Sequence, residues 1–226
     1  MLPTYNEAAN LERIVPAVRA AVPQARILVV DDGSPDGTGK IADALAGADG
    51  AVEVLHRPVK QGLGPAYVAG FARALGQGAS HVVEMDADGS HDPADVARLL
   101  AAGADLALGS RYVPGGGIEN WALWRRAVSR AGCRYARAVL GVPVADLTGG
   151  LKCFTADALH AIDYASVRSR GYAFQVELTY RALQRGLRVV ELPIVFRDRR
   201  LGHSKMSARI ALEAMVLVPR LRRLSC

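Results

Sequence analysis

The stretch His81-Val82-Val83-Glu84-Met85-Asp86-Ala87-Asp88-Gly89 decides the fold class. Its first five residues, rich in apolar and β-branched side chains, contain no Gly or Pro and are followed abruptly by two acids, which predicts a buried strand. Open α/β sheets bind ligands at the carboxyl ends of their strands. Two carboxylates one residue apart repel each other unless a cation lies between them, so Asp86 and Asp88 are candidates for a hard-metal and diphosphate site. Taken alone, an Asp-x-Asp pair is more often a solvated loop or a helix cap.

Apolar runs and Ala-rich stretches of helical length alternate from residue 6 to about residue 110. Such alternation predicts an α/β fold with a parallel sheet wrapped by crossover helices. Pro16 lies inside the first predicted helix and is expected to kink or shorten it. The predicted strands are Ile27–Val30, Val52–Leu55, His81–Met85 and Leu106–Leu108. The predicted helices are Glu7–Ala21, Thr38–Ala46, Pro65–Leu75 and Pro93–Ala102.

The pattern changes after Gly109. The run Gly115-Gly116-Gly117 predicts a flexible break, and the following stretch, 118–140, is rich in Arg and carries both tryptophans. At helical spacing Arg125 and Ser129 share a face of this segment. Trp beside Arg suits a membrane interface, although aromatic residues at this spacing more often belong to a core. Further predictions are a helix at Phe174–Arg185, a strand at Val189–Phe196 and an amphipathic terminal segment at Ser207–Leu224.

Length and composition favour one globular domain. The chain has 226 residues, half of them hydrophobic, which is enough for a full α/β core. Its three cysteines are far apart and form no Cys-x-x-Cys, so we expect neither a disulfide framework nor a zinc site, but reduced cytosolic thiols. No apolar stretch reaches the roughly 18–20 residues of a membrane span, so we expect a soluble or peripheral protein.

The net charge of +6 is concentrated at the end of the chain. From Arg197 onward there are eight basic residues and two acidic ones, so the first 196 residues sum to zero. A basic tail on a neutral domain indicates an anionic partner, which could be nucleic acid, an acidic membrane surface or a phosphorylated substrate. A solvated basic face is the common alternative.

Three more acidic or polar turns follow predicted strands or precede helices. Asp31-Asp32-Gly33-Ser34-Pro35-Asp36-Gly37-Thr38 combines carboxylates with turn residues and a helix-start threonine. Charged acceptors of this kind can bind ribose hydroxyls or base edges. The other two turns are Pro3-Thr4-Tyr5-Asn6-Glu7 and Asp146-Leu147-Thr148-Gly149-Gly150.

In their order along the chain, the four turns Pro3–Glu7, Asp31–Thr38, Asp86–Asp88 and Asp146–Gly150, together with Gly109-Ser110-Arg111-Tyr112, strongly resemble glycosyltransferase family 2 and its GT-A fold. They look like the polyprenol-phosphate (dolichyl-phosphate) mannose synthase branch. The resemblance covers nearly the whole chain, and the ordered set is far more specific than any one motif. Supporting stretches are Asn120–Arg125 with Ser129, Gly171–Glu177 and Gly202–Met206. The fold implied is a single GT-A (Rossmann-like) domain with a mostly parallel sheet and amphipathic acceptor-side helices.

The resemblance implies three regions: a nucleotide-sugar-binding half at 1–110, an acceptor half at 111–206 and a basic amphipathic helix at 207–226. In the nucleotide-sugar-binding half, Asp86, Ala87 and Asp88 would contact the diphosphate. Asp86 and Asp88 would bind Mg²⁺ or Mn²⁺, and Ser90 stands where some relatives place a glutamine ligand. Arg199 and Lys205 would close over the diphosphate. The residues expected to hold the guanosine of GDP-mannose are Pro3, Tyr5, Glu7 and Asp32 or its neighbour Asp31.

On the acceptor side, the resemblance implies that Arg111, Arg125 and Ser129 receive the phosphate of a polyprenol phosphate lipid and, with Asp88, form the catalytic set. Asp146 would help to position the sugar or an acceptor-site arginine. A phosphate monoester is already anionic at neutral pH, so no general base is needed. A divalent ion and cationic groups would stabilise the leaving diphosphate, and one in-line displacement would invert the anomeric centre.

Two features depart from the family pattern. Relatives carry a full apolar strand before Pro3, where this chain has only Met1 and Leu2, so either the start lies upstream or most of the first strand is missing. Transmembrane helices found in some relatives are also absent. We therefore expect a cytoplasmic protein, peripheral on a membrane, that contacts the bilayer through amphipathic segments or through a separate anchoring protein.

Three other functions compete with this one. A polyprenol-phosphate glucosyl- or other hexosyltransferase using a UDP-sugar would share the fold and the acids. A nicotinamide-dependent enzyme is disfavoured because Gly62-Leu63-Gly64 is followed by Tyr67 where the third glycine would stand. A non-catalytic binding module, such as an RNA-binding or regulatory domain using the basic tail, is disfavoured because single-strand binders place aromatic residues on a sheet or groove, a pattern missing here. No nucleic-acid partner is therefore expected.

Overall fold

The computed structural model describes residues 1–169, 171–198 and 218–222. The strands are β1 (Leu2–Thr4), β2 (Ile27–Asp31), β3 (Val52–His56), β4 (His81–Glu84), β5 (Leu106–Ser110), β6 (Gly117–Glu119), β7 (Lys152–Thr155), β8 (Val189–Pro193) and β9 (Val195–Arg197). The α-helices are α1 (Ala8–Ala21), α2 (Thr38–Ala48), α3 (Leu63–Gly76), α4 (Ala94–Leu100), α5 (Leu123–Leu140), α6 (Ala156–Ala161) and α7 (Tyr172–Gln184). A 3₁₀ turn covers Tyr164–Ser166, and residues 218–222 are helical.

Seven of the strands form a central sheet in two hydrogen-bonded groups, and β6 and β9 form a separate pair. One group has the order β1-β2-β3 and is parallel; the other has the order β4-β7-β5-β8. Met1 joins the groups, because its nitrogen donates to the Val83 carbonyl at 2.8 Å and its carbonyl accepts from Met85 N at 3.2 Å. This is the pattern of a parallel bridge, so β1, β2, β4 and β5 all end at the same edge of the sheet.

Two apolar layers cover the two faces of this sheet. Alternate residues of β2 show the division, since Ile27 and Val29 pack with α1, α2 and α4 while Leu28 and Val30 face the other side. The second layer packs α3, α5 and α7 around a cluster of aromatic rings. The stacked and edge-on rings there are Tyr67, Phe71, Phe154 and Phe174. The expected α/β fold with a mostly parallel, helix-flanked sheet is confirmed.

Strand β7 is the main feature that the sequence patterns missed. It is antiparallel to both β4 and β5 and separates them in the sheet. Its sequence, Lys-Cys-Phe-Thr, is short and begins with a charged residue, so no apolar run marks it. The antiparallel direction places the turn before β7 at the same edge as the carboxyl ends of its neighbours.

Other expectations need correction in detail. Helix α1 runs unbroken past Pro16 and is not shortened. The predicted strand at 189–196 is two strands, β8 and β9, separated at Ile194, and β9 pairs with β6. The glycine run forms a compact turn, in which Gly116 N donates to the Val113 carbonyl at 2.9 Å. A Cβ at Gly116 would lie 2.5 Å from the Ser110 carbonyl oxygen, so this turn requires glycine there.

The predicted terminal helix at 207–224 falls largely outside the described residues, which include only 218–222 of it. Among the helices of the described part of the chain, none combines the length and the apolar character needed to cross a bilayer.

Candidate active site

The site lies at the sheet edge where β1, β2, β4 and β5 end. The loops after these strands carry Tyr5, Asp32, Asp86 and Arg111, and the turn before β7 carries Asp146. These turns lie side by side because their strands end at one edge. The loop after β4, with Asp86 and Asp88, forms an acidic side of the site, and the loop after β5, with Arg111, forms a cationic side. The turns after β1 and β2 form the third part of the site.

Asp86 and Asp88 follow β4 directly, as the sequence predicts. Asp88 is buried, and its Oδ1 accepts the Ser90 N–H at 3.0 Å. The Asp86 side chain is 35% exposed and turns toward the loop before β7. A Cβ at Gly150 would lie 3.2 Å from Asp86 Oδ2, so a side chain there would crowd the carboxylate. Glycine at this position lets the two loops meet.

The polar atoms beside Asp86 and Asp88 fit a divalent ion. Ser90 Oγ and both ring nitrogens of His91 are buried and have no hydrogen-bond partner among the described residues. Buried polar groups are normally satisfied, so Ser90 Oγ and one ring nitrogen of His91 are candidate ligands for a cation beside the two carboxylates. The described part of the chain contains no ready-made group of three His, Cys, Asp or Glu ligands. Substrate oxygens would therefore have to supply the remaining ligands.

Arg111 and Asp146 form a buried, bidentate ion pair. Arg111 Nε and Nη2 donate to the two Asp146 oxygens, both at 2.7 Å, and the Arg111 backbone N–H donates to Oδ2 at 3.0 Å. Nη2 also donates to Thr148 Oγ1 at 2.8 Å. Burial disfavours both charges, yet the pairing outweighs it: the pKa of Asp146 is lowered and the pKa of Arg111 is raised. The carboxylate thus fixes the position of the Arg111 guanidinium.

Asp146 is itself held in place from β8. Glu191 accepts the backbone N–H groups of Ala145 and Asp146, at 2.8 and 2.9 Å. Cys133 of α5 packs against the same carboxylate, and burial raises the pKa of its thiol to about 11. That thiol is therefore protonated at neutral pH. The ion pair is tied to β5, β8 and α5, which makes the position of Arg111 a property of the whole fold.

Arg125 and Ser129 lie one turn apart on α5 and face the same region. The Arg125 guanidinium lies 3.9 Å from the centre of the Trp121 ring, and Arg111 lies 5.9 Å from the same ring. One buried indole therefore contacts both arginines. Ser129 accepts a hydrogen bond from the Tyr112 hydroxyl at 2.7 Å. The structure thus brings together the predicted acceptor-phosphate residues.

Two further contacts complete the cationic side. Arg125 Nη1 donates to Asp198 Oδ1 at 3.1 Å, so a carboxylate of the chain already pairs with this arginine. Phe196 of β9 contacts Arg111 and the Trp121 ring, and its other neighbour is the His91 ring. Phe196 therefore bridges the acidic and cationic sides of the site.

The turns after β1 and β2 are tied to each other. Asn6 adopts a left-handed conformation, φ 58°, and its N–H donates to Ser34 Oγ at 3.0 Å. Glu7 N–H donates to Thr38 Oγ1 at 2.9 Å. Asp31 accepts the Ser34 hydroxyl and is buried. Pro3, in β1, pairs with Val30, which places the strand beside these turns.

Asp32 contacts the loop after β3. Its carboxylate pairs with Arg57 and accepts the N–H groups of Gln61 and Gly62, so it holds the loop after β3. That loop brings Lys60 Nζ to 3.7 Å from the centre of the Tyr5 ring. Both aspartates therefore accept hydrogen bonds within the protein, Asp31 from Ser34 and Asp32 from the loop after β3. Arg199 and Lys205, expected over the diphosphate, lie outside the described residues.

A buried polar network lies directly behind the acidic loop. Gln175 Nε2 donates to Glu84 Oε2 at 2.8 Å, and Lys152 Nζ donates to the Gln175 carbonyl and to Thr179 Oγ1 at 2.6 and 2.9 Å. Burial raises the pKa of Glu84 to about 7 and lowers the pKa of Lys152 to about 8. These residues support the end of β4 from which Asp86 projects.

Sequence reasoning missed His91, Lys60 and this network. His91 stands next to Ser90 and could have been considered as a ligand from its chemistry alone. No sequence pattern predicts that Glu84 pairs with Lys152, because this pairing depends on strand β7, which the sequence patterns did not predict.

A comparison with family models matches residues 1–163 to the model described as glycosyl transferase family 2. The polyprenol monophosphomannose synthase of Mycolicibacterium smegmatis is 54% identical over 223 residues, covering 96% of this chain and 84% of the relative. The undecaprenyl-phosphate mannosyltransferase of Micrococcus luteus is 50% identical over 222 residues, covering 97% of this chain and 91% of the relative.

Solved structures with a similar fold include glucosyl-3-phosphoglycerate synthase from Mycobacterium tuberculosis. Its complex with phosphoglyceric acid has a TM-score of 0.74 at 20% identity, covering 98% of this chain and 78% of that one. The complex with Mn²⁺, UDP-glucose and phosphoglyceric acid has a TM-score of 0.70 at 20% identity, covering 100% and 78% of the two chains. At this level of identity the similarity concerns the fold.

Proposed function

The chain belongs to glycosyltransferase family 2, and we propose that it transfers mannose from GDP-mannose to a polyprenyl monophosphate with inversion. The observation that supports this function most directly is that an acidic side and a cationic side lie next to each other at one edge of the sheet. Asp86 and Asp88 form the acidic side, and Arg111 and Arg125 contact one indole on the cationic side. The first suits a metal-bound diphosphate and the second suits another phosphate.

The contacts between the two sides are continuous. Gly150 packs on Asp86 and lies in the same turn as Asp146, which holds Arg111. A donor diphosphate at the acidic loop and an acceptor phosphate at the arginines would therefore be neighbours. Holding both reactants in one orientation would accelerate a displacement between them.

In the proposed reaction, an acceptor phosphate oxygen attacks C1 of mannose while the bond from C1 to the diphosphate oxygen breaks. The electron pair of that bond leaves with GDP, and attack from the opposite face converts an α-linked donor into a β-linked product. A phosphate monoester has a second pKa near 6, so its oxygen is anionic at neutral pH and needs no base. Arg111 and Arg125 would orient that oxygen by charge-assisted hydrogen bonds.

The arginines are prepared for this role to different degrees. Arg111 is fixed by Asp146, while its Nη1 makes no hydrogen bond within the described residues and can donate to a phosphate. Arg125 stacks on Trp121 and pairs with Asp198, which an arriving phosphate would replace as the partner of the guanidinium. Mg²⁺ or Mn²⁺ bound by Asp86 and Asp88, with Ser90 nearby, would neutralise the charge that develops on the leaving diphosphate.

On the nucleotide side, we propose that Pro3, Tyr5, Glu7 and Asp31 surround the guanosine, with Ala87 and Asp88 next to the diphosphate. Lys60 lies over the Tyr5 ring and would extend this surface. Asp32 would contribute indirectly, through the loop that carries Lys60. Arg199 and Lys205 are proposed to close over the diphosphate, as the family resemblance implies.

Membrane contact through α5 is part of the proposal. The helix buries Cys133, Ala136 and Leu140, while Leu123 and Trp124 are 79% and 68% exposed. Val128, one turn after Trp124, is also exposed, so the outward face is apolar. The helix has no acidic residue, and its exposed arginines are Arg130, Arg134 and Arg137.

An apolar face bordered by arginines is typical of helices that lie in the interface of an anionic bilayer. The same helix carries Arg125 and Ser129 toward the site, so this contact would present the acceptor arginines beside the membrane that holds their lipid. We propose a peripheral position on the cytoplasmic face, reached through α5 directly or reinforced by a separate anchoring protein.

A radiolabelled donor panel with a polyprenyl monophosphate tests the reaction. We expect transfer from GDP-mannose, little from UDP-glucose or UDP-N-acetylglucosamine, and none in excess chelator. Asp88→Ala should abolish transfer, while Asp157→Asn, an exposed aspartate on α6, should not change it. Preferred use of a UDP-sugar would overturn the donor assignment, and full activity in chelator would overturn the metal assignment.

Flotation with vesicles containing an anionic phospholipid tests the membrane contact. The double variant Leu123→Ser/Trp124→Ser should lose most of its vesicle binding, because both side chains are exposed and apolar. Val59→Ser removes another exposed apolar side chain, away from α5, and serves as the matched control. Equal binding by both variants would show that α5 is not the contact.

A further inference from the structure

The His91 side chain is buried next to the proposed ion site but makes no hydrogen bond within the described part of the chain. Its side chain is 1% exposed, and neither Nδ1 nor Nε2 has a hydrogen-bond partner among the described residues. Leaving a buried polar group unsatisfied destabilises the folded protein. A histidine needed only for packing could be replaced by an apolar residue without that cost.

The position of this ring is well determined by its neighbours. It packs edge-on against Phe196, with the ring centres 5.1 Å apart and the planes at 83°. The preceding residue, Ser90, accepts the Arg197 N–H at its carbonyl at 3.0 Å, so β9 fixes the loop from the other side. In this position Nε2 lies 3.7 Å from Asp86 Oδ2.

That distance is too long for a hydrogen bond but suits two ligands of one ion. Metal bonds to imidazole nitrogen and carboxylate oxygen are both about 2.0–2.2 Å, so two such ligands on adjacent positions lie roughly 3–4 Å apart. Asp88, by contrast, directs one oxygen to the Ser90 N–H. The imidazole would therefore add a ligand to the two carboxylates, on the side of Asp86.

We propose that His91 Nε2 is a direct ligand of the divalent ion, together with Asp86, and that it biases the site toward Mn²⁺. This extends the ion site proposed above, and rests on it. Mg²⁺ and Mn²⁺ both prefer oxygen ligands, but Mn²⁺, as a first-row transition ion, accepts an imidazole nitrogen more readily than Mg²⁺ does. A site with one nitrogen ligand discriminates more strongly in favour of Mn²⁺ than a site built from carboxylates and phosphate oxygens alone.

Pulsed electron paramagnetic resonance of bound Mn²⁺ detects such a nitrogen ligand directly. The full chain is loaded with Mn²⁺ and inorganic pyrophosphate in a buffer without coordinating nitrogen, so that no nucleotide contributes to the spectrum. We expect ¹⁴N modulation of imidazole type in the unaltered protein and its loss in His91→Asn. His160→Asn, which alters an exposed histidine on α6, should retain the modulation.

A second variant separates coordination from folding. His91→Gln offers an oxygen in place of the ring nitrogen, so it should still bind Mn²⁺ but without the ¹⁴N modulation. Its ratio of Mg²⁺ to Mn²⁺ affinity should rise, while His91→Asn should lose at least ~10-fold in Mn²⁺ affinity. Circular dichroism melting identifies any variant that fails to fold.

Three results would overturn the assignment: bound Mn²⁺ without ¹⁴N modulation in the unaltered protein, modulation that persists in folded His91→Asn, or no binding of Mn²⁺ with pyrophosphate. The last would also remove the proposed ion site. Failure of the mannosyl transfer would be seen separately, in the donor panel, since these spectra involve neither mannose nor lipid.

Discussion

Replacing Asp146 by Asn should destabilise the protein strongly, because it leaves the charge of Arg111 buried without its partner. Asp146 is fully buried and accepts three hydrogen bonds from Arg111, two of them from the guanidinium at 2.7 Å. Asn retains one acceptor oxygen, but its NH₂ group would face an Arg111 N–H. One charge-assisted bond is lost, and a contact between two donors replaces it.

The expected loss follows from these contacts. A hydrogen bond to a charged group contributes about 1.5–3 kcal/mol, and breaking a buried ion pair by removing one partner costs about 3–5 kcal/mol. We expect Asp146→Asn to lower the free energy of unfolding by ~3–5 kcal/mol at pH 7.5. Since pairing lowers the pKa of Asp146, its contribution is present above the unfolded pKa of about 4 and is lost as the pH falls. The difference between variant and unaltered protein should therefore shrink in acid.

Urea unfolding followed by circular dichroism measures this difference. Arg26→Met is the control, because Arg26 lies 3.7 Å from Glu53 with its side chain 64% exposed and should cost less than about 1 kcal/mol. The double variant Arg111→Met/Asp146→Asn removes the unpaired charge and should be more stable than Asp146→Asn alone. A loss below about 1 kcal/mol in Asp146→Asn, or a double variant less stable than the single one, would refute the reasoning.

Two more changes test other parts of the site. Gly150→Ala would place a methyl group 3.2 Å from Asp86 Oδ2, so we expect Mn²⁺ binding to weaken by about 10-fold or more. The free energy of unfolding should stay within about 1 kcal/mol of that of the unaltered protein. Unchanged affinity in a Mn²⁺ titration would contradict the close packing of the two loops. Lys152→Met removes the cation beside Glu84, whose pKa burial has already raised to about 7, and should raise that pKa further. A carboxyl with a raised pKa loses stability as the pH rises through that pKa, so urea unfolding between pH 5 and 8 should show a steeper decline in Lys152→Met than in the unaltered protein, and parallel profiles would contradict it.

The sequence by itself determined which chemistry is present and on which strands it is carried. Asp86 and Asp88 were placed after a strand because an apolar run without Gly or Pro ends at them, and the order of acidic turns indicated the family that the comparison confirms. Alternation of apolar runs and helical stretches likewise predicted the parallel part of the sheet. These signals are local, because periodicity and turn residues depend on neighbours in the chain.

Only the tertiary structure decided which partners the charged groups have. Asp32 holds the loop of Lys60, Asp146 pairs with Arg111, and Trp121 contacts two arginines from different elements. The position of the His91 ring beside Asp86 depends in turn on Phe196 of β9, more than 100 residues later in the chain. Such pairings depend on packing across the sheet edge, where side chains distant in sequence compete for the same buried hydrogen bonds. Local sequence patterns therefore cannot predict which partners pair.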